Sequence, residues 1–199
     1  EVSVSAAAGS ATVAGIVTGG GDVRVGAQTT VTVSTVNAGS GSVSLVAVTG
    51  SILDGTDTGA NVTATAVRLA AGGAIGALDD EFALQTGTLA VSAGGVVRLA
   101  NTGALTVSSM ALTVATVGAN GVASGVTESV ITGLISANTL VLVNTDSLTL
   151  SANTGVSGTG HILLSATGNI GGSGTVTAAN GSVSVRAGGA LAVAGNVSV

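Results

Sequence analysis

Apolar residues recur along the chain in a short pattern: apolar, any, apolar, any, Ala or Asn, any, usually Gly, any, apolar. It occurs as VRVGAQTTV at Val23, VRLAAGGAI at Val67, LAVSAGGVV at Leu89, LVLVNTDSL at Leu140, ILLSATGNI at Ile162 and VSVRAGGAL at Val183. Two alternating apolar residues, such as Val67 and Leu69 or Ile162 and Leu164, predict a short strand with one face turned inward. The Ala or Asn and the Gly predict a corner. Gly73, Gly95, Gly168 and Gly189 suit either positive φ or tight backbone approach, and Ile75, Val97, Ile170 and Leu191 then open a second strand. Each copy reads as strand, corner, strand.

Weaker starts at Val2, Val43 and Leu112 complete a series at 2, 23, 43, 67, 89, 112, 140, 162 and 183, with successive differences of 21, 20, 24, 22, 23, 28, 22 and 21. Such a unit is too short for a strand–helix–strand crossover of about 30 residues, and no helical period separates the copies. The expected fold is all-β: a right-handed parallel β-helix (β-solenoid) of about nine coils of roughly 20–24 residues, forming a rod on the order of 40 Å long. The coil phase between 97 and 140 stays open. The two long intervals predict bulges standing out from the rod, at 52–61 and at 118–138. Residues 1–199 read as a single solenoid segment. Because EVSVSA and GNVSV both read as strand, the expectation is a piece of a longer repetitive protein or a subunit stacking end to end.

Composition narrows function by what is missing. The chain has no Pro, Cys, Trp, Tyr or Lys, one Phe (Phe82) and one His (His161). The missing Pro suits a chain whose residues mostly donate to a neighbouring coil or sit in corners. Nine acidic and four basic residues give a net charge of −5, which argues against a nucleic-acid partner. Mean hydropathy is +0.75. Even so, the richest apolar stretch, Val130 to Val143, is interrupted by Thr132, Gly133, Ser136, Asn138 and Thr139, short of the ~20 residues of a spanning helix. A membrane barrel would need aromatic girdles. Without Cys and with one His, His–Cys zinc sites and Cys–His nucleophiles are excluded. Without Lys, so are the phosphate-binding Walker loop and Schiff-base chemistry.

The coils GSVSLVAVTGSI, VRLAAGGAIG and ILLSATGNIGG resemble the shaft repeats of the filamentous haemagglutinin family, a style shared by giant adhesins secreted by two-partner or autotransporter routes. The resemblance covers nearly the whole chain as repeat grammar. It implies export from a Gram-negative bacterium to the cell surface, and a structural role in adhesion, biofilm or surface filaments. The family's secretion domain carries Asn-Pro motifs. This chain has no Pro, so the resemblance is to shaft, and no functional residue of that domain carries over. The expected partners are copies or neighbouring segments of the same chain, with a glycan or host protein gripped by the bulges as the alternative.

Parallel β-helices also include polysaccharide lyases and hydrolases, so the acidic pairs are candidate sites. Asp54 and Asp57 lie in one bulge, and Asp79, Asp80 and Glu81 at one corner. Solvated corners are the expected role, ahead of a weak Ca²⁺ site or a carboxylate pair flanking a glycosidic bond. His161, after Gly160, is expected to be exposed and passive. Parity turns Arg24, Arg68, Arg98 and Arg186 outward; spread among the coils, they are expected to be solubilising side chains rather than a basic stripe. The Thr-rich runs at 29–33 and 61–66 do not recur at the coil interval, against an ice-binding face. Asn61 and Asn196 open glycosylation sequons in strand-like sequence. No catalytic, cofactor-binding or metal-ligating residue is assigned, and no enzymatic activity is expected.

Overall fold

The computed structural model describes residues 1–56 and 58–199, and these contain strands and turns but no helix. Parallel strands stack into a β-solenoid of about nine turns. Its second turn shows the plan, with Val23–Ala27, Val31–Val33 and Val36–Asn37 on three successive faces.

The interior consists of columns of aliphatic side chains in register. On the first face Val4, Val25, Leu45, Leu69, Val91, Leu134, Val156, Val176 and Val197 pair in sequence, one residue per turn. The seven inner members are wholly inaccessible to solvent; the outer two, Val4 and Val197, are 38% and 51% exposed. A second column runs through Ala11, Val31, Ile52, Ile75, Val97, Leu140, Ile162 and Val183. Each such burial is worth ~1.5–3 kcal/mol. Phe82 joins a third column with Leu99, Leu142, Leu164 and Val185.

The repeat changes face midway. The starts Val2, Val23, Val43, Val67 and Leu89 stack on one another on the first face. Leu140, Ile162 and Val183 stack instead on Val97, one face further round. The cause lies in the sequence VRLANTGAL, a further copy of the pattern that shares Val97 with the copy before it. Two copies placed back to back make Val97–Asn101 a single strand that pairs with Phe82–Leu84 as well as with the next turn. Leu112 therefore starts no coil. Leu105–Val107 stacks between Thr88–Leu89 and Leu148–Leu150, the chain leaves the rod, and it returns at Leu134–Ser136.

The expected bulge at 118–138 is corrected in both position and form. The excursion spans 108–133, while 134–136 is rod. It is an antiparallel hairpin, with Thr113–Val117 against Ala123–Thr127 and Ser109–Met110 against Ile131–Thr132. It lies along the outside of the first face as a strap instead of projecting. Met110 and Ile131 are apolar and find cover on Ala90, Ala66 and Ala70. Further along, the amide of Ala115 donates to the Glu1 carboxylate at 2.9 Å, so the hairpin reaches back to the first turn. The bulge at 52–61 is also narrower than expected: Ile52–Asp54 is rod, paired with Val31–Val33.

Corners close by tight stacking. Gly95 and Gly168 are absent from the positive-φ positions. A Cβ on Gly95 would lie 2.9 Å from the Ala74 nitrogen, and one on Gly168 2.7 Å from that of Ser147. Of the two reasons for glycine at these corners, close approach is the one that operates. Buried Asn residues serve other corners. Asn101 donates to Asn144 Oδ1 at 2.9 Å, Asn144 donates to the carbonyls of Asp146 and Ser147, and Asn101 Oδ1 accepts from the Thr86 amide. Asp146 O and Ser147 O also accept the amides of Gly168 and Leu105, so Asn144 adds a second donor at each of these corner carbonyls.

Candidate functional site

Two of the acidic candidates, Asp54 and Asp79, sit in turns. Asp54 Oδ1 accepts from the Thr56 amide at 2.6 Å and from the Asn61 side chain. Asn61 is itself fully buried, donating to Val33 O and accepting from the Ala83 amide, which removes it as a glycosylation site in the folded chain. Asp57 lies outside the described residues. Asp79 adopts φ 61° at the tip of a tight turn in which Ala77 and Asp80 bridge each other. Among the described residues, no three His, Asp or Glu side chains are grouped closely enough to hold a metal ion. His161 is exposed, and its Nδ1 accepts the Ser182 amide of the next turn at 3.1 Å.

The arginines need correction. Parity does turn Arg24 and Arg68 away from the core, onto the outer row Ser3, Arg24, Ser44 and Arg68 of the first face. The strap then covers that row, and the Arg68 side chain is left only 3% exposed. Arg24 Nε donates to Glu128 Oε1, and Arg68 Nη1 lies 3.7 Å from Glu128 Oε2. Arg68 Nε donates to the Ser129 carbonyl at 3.0 Å, Nη2 to Ser129 Oγ at 3.3 Å and Nη1 to Ser44 Oγ at 3.2 Å. These two residues, distant in sequence, converge on one carboxylate, with Arg68 shut off from solvent and Arg24 partly open to it. Burial pulls the Arg68 pKa below its ordinary value; Glu128 opposes that shift and Arg24 adds to it. Arg98 and Arg186 stay partly or fully open to solvent.

Glu128 and Ser129 were not singled out by the sequence pattern. The available signal was that Glu128 is the lone charged residue between Arg98 and Asp146. Beside the strap, hollows of about 140, 300 and 370 Å³ follow one another along the first face, touching Arg24 in the first and Arg68 in the other two. At the far tip Val117 and Val122 are 74% and 59% exposed.

By its geometry the chain is a parallel β-solenoid whose first face carries an ion-paired strap. In comparisons with protein-family models, curated proteins and solved structures, nothing matches it. No helix among the described residues is long and apolar enough to cross a membrane.

Proposed function

We propose that the chain is a shaft or filament element of a secreted bacterial surface protein, acting mechanically in adhesion or matrix formation and without catalytic activity. The observation that carries this reading is the first-face column, nine residues on nine turns from Val4 to Val197, with its inner seven wholly buried. Such a ladder couples each turn only to its neighbours and turns length into stiffness. The resemblance of the repeats to filamentous haemagglutinin shafts supports the same role. Electron microscopy of the purified chain tests it: straight rods on the order of 40 Å, alone or joined in multiples, are expected, and collapsed or flexible particles would refute the mechanical role.

A binding role through the excursion is the second reading, favoured by the exposed Val117 and Val122 at the hairpin tip. A glycan and host-protein screen in which Val117→Ser/Val122→Ser abolishes a hit would support it; hits that survive this change would count against it.

A further inference from the structure

We propose that Arg24, Ser44 and Arg68 form a peptide-binding site on the outer row of the first face, filled by the chain's own strap and open to an extended acidic segment of a partner chain in its place. What the site holds now is the short link between the strands Ala123–Thr127 and Ile131–Thr132. Its carboxylate, its next carbonyl and its next hydroxyl are all read: Glu128 by both guanidinium groups, Ser129 O by Arg68 Nε, and Ser129 Oγ by Arg68 Nη2. Recognition is thus of a Glu-Ser segment and not of a bare anion.

Charge favours an acidic partner. Two guanidiniums face one carboxylate, so one positive charge is left over in a chain whose net charge is −5. Each guanidinium carries five N–H donors, and Arg24 engages only Nε with the strap. The rest of its head lies over Gly26, where an added Cβ would meet Nη1 at 2.9 Å, beside the hollow of about 140 Å³. An incoming carboxylate can reach Arg24 from that side before Glu128 leaves.

Displacement is feasible because the strap is weakly seated. Its apolar anchorage is a satellite cluster of Ala90, Met110 and Ile131, together with the buried Leu112 and Val114, all separate from the rod core. A segment with so few buried contacts opens at a lower free energy than the whole fold. The site is independent of the shaft role, since the row exists whether or not the rod bears load.

The test uses the full chain and a labelled peptide copying residues 122–132, VASGVTESVIT. A tethered Glu128 competes at an effective concentration of millimolar or more, so Glu128→Gln should raise peptide affinity about tenfold or more. Replacing the peptide's Glu by Gln, or adding Arg24→Gln and Arg68→Gln to the protein, should remove the gain. Equal binding of the Glu and Gln peptides, or a gain that survives loss of both arginines, would overturn the proposal. So would equal, arginine-dependent binding of polygalacturonate, which would make the site a general polyanion site. Should Glu128→Gln fail to fold, hydrogen exchange on the unaltered protein decides: excess peptide should speed exchange at Glu128 and Thr132, and unchanged exchange would refute displacement.

Discussion

The rod and the strap are both β structure made from Val, Thr, Ser, Ala and Gly, yet different forces hold them. In the rod, alternate residues point into a closed interior, so Val25, Leu45, Leu69 and Val91 lose all contact with water. The strap alternates as well, in Thr113–Val117 and Ala123–Thr127, but its second face meets solvent and leaves Val117 and Val122 bare. Its attachment depends on Glu128 between two arginines, on the Ala115 amide at Glu1, and on a small apolar patch of Met110, Leu112, Val114 and Ile131. Alternation therefore makes a strand in both places, and only stacking on a neighbouring turn makes it a stable one.

The largest test of that contrast is Leu142→Ala, which opens a cavity beneath a fully buried column residue. It should cost ~2–5 kcal/mol, read from the denaturation midpoint. Next, Asn144→Ala removes three hydrogen bonds of a buried side chain, one from Asn101 and one each to the carbonyls of Asp146 and Ser147, leaving Asn101 with Gly103 O and the carbonyls with the Gly168 and Leu105 amides. A loss of ~1–3 kcal/mol is expected, and a neutral result would mean that water replaces the Asn ladder. Met110→Ala should separate the two regions: global unfolding should move by less than about 1 kcal/mol, while hydrogen exchange accelerates across 109–132 alone. Equal acceleration in the rod would show strap and rod to be one cooperative unit. Smallest of all, Val122→Ser should change stability by no more than about 0.5 kcal/mol, because its side chain is already in water.

Much of the rod was legible in the sequence. Strand, corner, strand was readable from alternation and Gly, and the stacked pairs Val23↔Val43 and Ile162↔Val183 fall where the pattern puts them. The strap was only half visible. Its length stood out as the longest interval, but its register, its base at 108 and its partners did not, because Glu128 meets Arg24 and Arg68 across 104 and 60 residues of chain. The extra copy VRLANTGAL was equally visible as letters and was hidden by its overlap with the preceding one at Val97.

By itself the sequence determined the local unit, the all-β class, the interior residues and the approximate number of turns, since period-two alternation and tight glycine corners act over a few residues. Only the tertiary structure decided which face each copy occupies and where the strap lies. The three faces present the same inward aliphatic pairs to a neighbouring turn, so local pattern cannot tell one face from another. Stacking on Val97 settles the first question, and the pairing of Glu128 with two covered arginines settles the second.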